Sequence, residues 1–239
     1  YAPTTASDFK ITVDTTQAGS ASDTFVLPLA LGTTNMTVYW GDGNSDVITS
    51  WNQAELTHVY ASSGTYQISC DGSFYGIKFE GIGDRLKLSS IDNWGTNQWG
   101  TMDNAFQNCR NLVGNYTDNP DTSLVTNMYN SFRDCVAFNS PLDIDTSNVT
   151  TMRYLFLFCT VFDQDISSWN ISSLTTANGI FLYAGFSTTN YDLLLPAWDA
   201  YGTSSVPFYT MAKYSSGAPA TARANMIARG WTITDGGLV

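Results

Sequence analysis

The chain has 239 residues, 43% of them hydrophobic and only 13% charged, with ten Lys plus Arg against 21 Asp plus Glu for a formal net charge of −11. That length holds one large domain or two modest ones with ample apolar material for a core, while the acidic balance argues against nucleic acid as a partner and the aromatic content against disorder. No run approaches the roughly 20 apolar residues that span a bilayer, so membrane insertion is not expected, and an opening Tyr1 in place of Met points to removal of a preceding segment.

In chain order, residues 9–14 (FKITVD), 24–29 (TFVLPL), 36–43 (MTVYWGDG), 57–60 (THVY) and 64–70 (GTYQISC) alternate or run apolar between Gly/Asn/Ser-rich turns. This is the pattern of a small β-sandwich. The stretches VYWGDGNSD and THVYASSGTYQISC resemble the PKD type of immunoglobulin-like domain, with its W-G-D-G turn and later H-x-Y-x-x-x-G-x-Y strand pair. The resemblance implies a PKD-like sandwich over residues 1–80. His58, the one histidine, falls in the H-x-Y strand and is expected to bond a neighbouring turn, because a His-based triad has no second candidate. Zinc finds neither a C-x-x-C nor an H-x-x-x-H pair. In GDGNSD, Asp42, Asn44 and Asp46 alternate like the start of a calcium loop, but the full D-x-D-x-D-G-x5-E pattern is incomplete. A tight turn with unusual backbone angles at Gly41 and Gly43 accounts for the same letters. No metal and no cofactor are expected.

From Trp99 the grammar changes. Trp99, Met102, Phe106, Cys109 and Leu112 fall at steps of 3, 4, 3 and 3. Val125, Met128, Phe132, Cys135 and Phe138 repeat those steps, as do Val149, Met152, Phe156, Cys159 and Phe162, and Leu174, Ala177, Phe181 and Ala184 keep the first three. Phe106, Phe132, Phe156 and Phe181 are separated by 26, 24 and 25 residues, a solenoid period. The 3-4-3 stripe predicts a short helical piece in each unit, followed by an extended piece such as PLDIDTS (141–147) or QDISSWNIS (164–172). One unit cannot bury its own stripe, so the Met, Phe and Cys positions are expected to form inward-facing ladders. The three ladder cysteines are accordingly expected to be buried and reduced.

The repeats resemble the BspA-type leucine-rich repeat family, whose units read approximately W-D-T-S-x-V-T-x-M-x-x-M-F-x-x-C-x-x-F-N-x-D-I-S. Residues 145–169, DTSNVTTMRYLFLFCTVFDQDISSW, carry nearly the whole unit, and residues 91–109, IDNWGTNQWGTMDNAFQNC, a lead-in. The resemblance implies a short α/β solenoid over 81–190 with a C-terminal cap over 191–239. In the cap, residues 214–237 read as an Ala-rich helix stopped at Gly230 and followed by a strand over Trp231–Thr234. Residues 186–213 carry no comparable signal. The expected fold class is therefore mixed, an N-terminal β-sandwich followed by a leucine-rich-repeat-type solenoid and a helix-strand cap.

Proteins with these resemblances are displayed on bacterial surfaces or phage particles, where they attach to cells, matrix or other proteins. The resemblance implies a non-catalytic, extracellular structural or adhesion module. A short array without a visible wall or membrane anchor favours a phage virion appendage or decoration protein over a bacterial surface protein. The rival reading is an accessory substrate-binding region of a secreted glycan-degrading enzyme, since PKD-like modules often travel with such enzymes.

Candidate chemistry is sparse. Asp143, Asp145, Asp163 and Asp165 cluster in the extended pieces, and glycosidase chemistry needs two carboxylates facing across roughly 5–9 Å. Asp143 and Asp165 precede Ile144 and Ile166 at a recurring position, however, which points to turn and helix-start hydrogen bonds. N-x-S/T sequons stand at Asn35, Asn115, Asn148 and Asn170, the last two in repeat slots. Among aromatics outside the stripe, Trp94 and Trp169 are expected to pack between coils, while Tyr116, Tyr129, Tyr154 and Tyr183 are candidates for a binding face. The positions after each ladder methionine, Asp103 and Asn104, Tyr129 and Asn130, Arg153 and Tyr154, vary on a constant scaffold and are expected to face solvent. The predicted partner-binding patch is Tyr129, Arg153 and Tyr154, with Tyr116 near its edge. Its expected partner is another virion or cell-surface protein, or a host surface glycan.

Overall fold

The computed structural model describes residues 5–239; residues 1–4, where the expected N-terminal sandwich begins, lie outside the described residues. The described residues are β-rich, with two α-helices among them, both beyond Ser187. Strands β1 (Phe9–Asp14), β2 (Thr24–Val26), β3 (Thr34–Tyr39), β4 (Ser45–Ile48), β5 (Thr57–Val59), β6 (Thr65–Phe74), β7 (Leu88–Asn93) and β8 (Val113–Gly114) build two sheets. One has six strands in the order β4-β3-β6-β1-β7-β8; the other is the antiparallel pair β2 and β5. Alternation sets the inward face: Phe9, Ile11 and Val13 of β1 are buried, and Lys10, Thr12 and Asp14 are half-buried. The strand expected over 24–29 ends at Val26. Pro28 has no amide to give to a ladder, though its carbonyl accepts from the Lys78 amide at 2.9 Å. The six-stranded sheet continues past residue 80, because β7 pairs with β1 and β8 lies parallel to β7.

A buried charge fastens the loop between β1 and β2. Lys87 is 0% exposed, and its ammonium donates to Ser20 O (3.1 Å), Ser20 Oγ (2.9 Å), Ala21 O (2.8 Å) and Thr24 O (2.7 Å). Asp84 Oδ1 stands 3.7 Å away, and that carboxylate accepts from the amides of Ser20 and Val26. A buried ammonium is tolerable only when it is paired and hydrogen-bonded, and here four oxygens share its three N–H groups.

Beyond the sheet, the repeated units form successive coils, and the short helices expected from the 3-4-3 stripe are absent. Asn104 and Asn108, Asn130 and Asp134, and Tyr154 and Phe158 all have φ between 54 and 62°. Two left-handed residues four apart break an α-helix. The amides then divide their bonds. Alternate ones bond locally, as Ala105 N to Met102 O (3.1 Å) and Cys109 N to Phe106 O (3.0 Å). Those between them donate to the next coil, as Asn104 N to Tyr129 O (2.8 Å), Phe106 N to Ser131 O (2.8 Å) and Asn108 N to Arg133 O (2.7 Å). The pattern recurs one coil on, where Asn130, Phe132 and Asp134 donate to Arg153, Leu155 and Leu157. A chain of four-residue turns turns the same positions inward as a helix does, which is why the apolar steps alone cannot tell the two apart.

Inside, the ladders form. Ring centroids of Phe106, Phe132, Phe156 and Phe181 are 5.2, 5.8 and 5.8 Å apart in sequence. Thr122 and Thr146 are buried, and each hydroxyl donates to a carbonyl of the following coil, Asp145 O (2.8 Å) and Asn170 O (3.0 Å). Trp94 and Trp169 are buried as expected; Trp94 packs on Phe9, Trp99 and Phe106 and so joins the first sheet to the first coil. One connected cluster of buried apolar side chains runs from Phe9 to Trp231.

The stack continues in β9 (Ala177–Phe181), α1 (Thr188–Asp199), β10 (Pro207–Thr210), α2 (Ala218–Ala228) and β11 (Thr232–Thr234), with β9, β10 and β11 in one parallel sheet. Helix α1 begins at Ser187, whose hydroxyl accepts from the Asn190 amide (3.3 Å). Helix α2 is followed by Gly230 at φ 93° and then by β11, close to the helix-Gly-strand order expected there. Asp235 ties the two helices together, since it accepts from Tyr191 Oη (2.9 Å) of α1 and from Arg223 Nε (2.7 Å) of α2.

Candidate interaction surface

Three of the four expected binding residues meet. Tyr129 and Tyr154 lie on adjacent coils with ring centroids 6.0 Å apart. The Arg153 guanidinium sits 4.6 Å from the centre of the Tyr154 ring and donates from Nη2 to its hydroxyl at 2.9 Å. Arg153 is exposed and both tyrosines are half-buried. The Tyr154 hydroxyl raises the Arg153 pKa above its ordinary value, so the group is a fixed cation. Tyr154 lies over the next coil at Gly179, where a Cβ would stand 2.6 Å from the ring. Gly179 has φ +70°, so glycine there serves both the backbone and the tyrosine.

Tyr116 is elsewhere. Its ring packs 5.4 Å from that of Trp94, its hydroxyl donates to Pro141 O (2.9 Å), and burial pushes its pKa up. Asn104 and Asn130, expected to face solvent, are buried instead, with Asn130 Nδ2 donating to Asn104 Oδ1 at 3.0 Å. A short amide on a left-handed residue folds back onto the neighbouring coil, and only the longer side chains of that column reach out.

Sequence reasoning missed Phe158, which lies 5.0 Å from Tyr183 with ring planes 4° apart; the two are 37% and 51% exposed. The available signal was an aromatic in the slot that holds Asn108 and Asp134 in the preceding coils.

The other candidates are occupied by scaffold duties. His58 Nε2 meets Asp42 Oδ2 at 2.9 Å, and its ring stacks on Trp40 at 4.8 Å and against Tyr60 edge-on. Asp42 also accepts from Asn44 N and Nδ2, while Asp46 Oδ2 accepts from Trp40 Nε1 (2.8 Å). Those carboxylates are engaged within a turn in which Gly41 and Gly43 have φ 88 and 97°. Burial opposes ionisation of Asp42, but His58 and Asn44 hold its pKa below the usual carboxylate range. Asp145 and Asp165 cap turns through the amides of Ser147 (2.9 Å) and Ser167 (2.8 Å). Asp143 is exposed, with Asn119 Nδ2 at 3.4 Å. Asp163 accepts from Ser187 N and Asn190 Nδ2 and so anchors the start of α1. Asn148 Nδ2 donates to Ser123 O, and Asn170 Oδ1 accepts from Ser172 N. Among the described residues, no three His, Cys, Asp or Glu side chains group as a metal site, and no helix is long and apolar enough to cross a membrane.

A protein-family model described as "Mycoplasma protein of unknown function, DUF285" matches residues 72–199, just over half of the chain. No curated protein and no solved structure matches it.

Proposed function

The chain belongs to the DUF285 family of Mycoplasma proteins of unknown function, and on that premise we propose that it is a non-catalytic, extracellular attachment module. In this reading a PKD-like sandwich carries a short BspA-type solenoid and a cap, and the solenoid surface engages a protein or glycan partner. The family resemblance alone does not choose between display on a phage particle and on a bacterial surface; the short array favours an appendage of the particle.

The observation that carries this reading is the Tyr129–Arg153–Tyr154 cluster. The inward positions are consumed by stacking, while these residues stand outside on a scaffold that repeats beneath them. Aromatic and Arg side chains are the usual anchors of interfaces. A non-catalytic role is supported by the commitment of His58 to Asp42 and Trp40, and of Asp145 and Asp165 to turns.

The test replaces Tyr129, Arg153 and Tyr154 together by Ala and compares attachment to intact source particles or envelopes with that of the parent chain, at matched melting temperature. Lost attachment is expected. Unaltered attachment would move the site away from this face.

A further inference from the structure

The loop between β1 and β2 has no core of its own. None of residues 16–23 is buried, so no apolar side chain of the loop anchors it. The carbonyls of Ser20, Ala21 and Thr24 and the Ser20 hydroxyl nevertheless converge on one point, the Lys87 ammonium, at 3.1, 2.8, 2.7 and 2.9 Å. Asp84 Oδ1 is a fifth oxygen at 3.7 Å. A lysine brings three N–H groups, all on one side of a nitrogen whose fourth bond goes to carbon. Five oxygens exceed what those hydrogen bonds require. Carbonyl, hydroxyl and carboxylate oxygens gathered around one positive centre are the ligand set of a hard cation.

The carboxylate closes the cage. Asp84 is buried and accepts from Ser20 N (2.6 Å), Ser20 Oγ (2.8 Å) and Val26 N (2.7 Å), so the Ser20 hydroxyl accepts from the ammonium and donates to its counter-ion. A Cβ on Gly19 would stand 2.2 Å from Asp84 Oδ1, and glycine there lets the loop close over the carboxylate. Thr24 and Val26 are the two ends of β2, the strand that pairs with β5, while Asp84 and Lys87 lie just before β7. The cage therefore holds the second sheet to the chain that enters the first.

We propose that residues 19–24 and Asp84 form a monovalent-cation site whose occupant is tethered to the chain as the Lys87 ammonium, and that the site takes a free ammonium, methylammonium or potassium ion once that amine is removed. Charge and size set the class. One carboxylate balances one positive charge, and a divalent ion would be buried with a surplus. Oxygens at 2.7–3.1 Å also stand too far out for calcium, which takes its ligands at about 2.3–2.6 Å. The inference concerns the N-terminal sheets and is independent of the attachment reading.

The test is thermal unfolding of the full chain and its variants in the chlorides of ammonium, methylammonium, potassium, calcium and tetramethylammonium at one ionic strength, the last cation being too large for the cage. Lys87→Ala opens the place of the amine. Its melting temperature is expected to rise, saturably and by about 3 °C or more, in one or more of the three small monovalent cations relative to tetramethylammonium, because an ion that binds only the folded state stabilises it. The parent chain and Lys87→Met, whose stem still fills the approach, should show no such difference. If Lys87→Ala is unfolded in tetramethylammonium, the same response is read as recovery of the fold in the small cations. A rise in none of them, a larger rise in calcium, the same rise in the parent chain, or no folded Lys87→Ala in any salt would each overturn the proposal.

Discussion

The Cys159 thiol donates to the carbonyl oxygen of Phe132, one coil upstream, at 2.8 Å. Cys135 repeats the contact to Phe106 O at 3.0 Å, so the cysteine ladder is a ladder of S–H to C=O bonds. All four cysteines are buried and free, and burial pushes their thiols up, Cys70 to about 12. The native protein should therefore resist a disulfide reagent at neutral pH, and all four thiols should react once guanidinium unfolds it. Fast reaction of the folded chain would show the ladder open to solvent.

Alkali should unfold the protein through the same groups. The unfolded thiols ionise near their ordinary 9.0, whereas the folded ones stay protonated until higher pH. Above pH 9 the unfolded state binds fewer protons, so stability, fully present below that value, falls as pH rises towards 12. Tyr60, Tyr116 and Tyr191 are raised by burial and act in the same direction. A urea midpoint that stays flat between neutral pH and pH 11 would contradict this.

Phe132→Ala and Phe156→Ala should each lower stability by about 3–5 kcal/mol, because the ring removed is stacked on both sides and the neighbouring coils cannot collapse into the gap. Chemical unfolding measures the loss directly, and a change below about 1 kcal/mol would mean that the stack repacks.

Two substitutions at left-handed positions should move in opposite directions. Gly179→Ala should destabilise by about 1–2 kcal/mol, because the added Cβ meets both the positive φ and the Tyr154 ring. Phe158→Asn should leave the melting temperature unchanged or raise it, as relief of strain offsets the lost exposed stack. A large drop for Phe158→Asn would assign that aromatic to stability.

Lys87→Met should lower stability by about 3–5 kcal/mol, since it leaves Asp84 and three loop carbonyls buried without their cation. Equilibrium urea unfolding provides the check, and an unchanged midpoint would show that the loop between β1 and β2 is held by other contacts.

Much of the architecture is legible in local pattern. Phe9, Ile11 and Val13 declare β1 by alternation, and the spacing of Phe106, Phe132, Phe156 and Phe181 sets the coil period. What failed was the inference from apolar steps to helix, because the deciding residues, Asn104 and Asn108, act through backbone angle and not hydropathy. Helix α1 was hidden for another reason: its first turn is the weak formers Thr, Thr and Asn and Pro196 sits near its end, so the strong formers Leu193, Leu194 and Leu195 make only a short run in a segment that burial of Tyr191, Leu194, Leu195 and Trp198 holds in place. For the surface, Tyr129, Arg153 and Tyr154 could be placed together from their columns. Tyr116 could not be placed, because its fate depends on Trp94 and Pro141, partners with no fixed offset in the repeat.

The alternating amide bonds between coils also give the molecule a mechanical grain. They lie along the axis of the stack, so a pull on the chain ends loads a few of them at a time, at whichever coil is outermost, instead of shearing all of them at once. A chain pulled from its two ends should then lengthen in discrete steps. Each coil has 24 to 26 residues, and at about 3.3–3.6 Å per extended residue its release adds roughly 80–90 Å. Single-molecule extension should show a sawtooth with that spacing, one coil yielding at a time while the remaining coils keep their bonds.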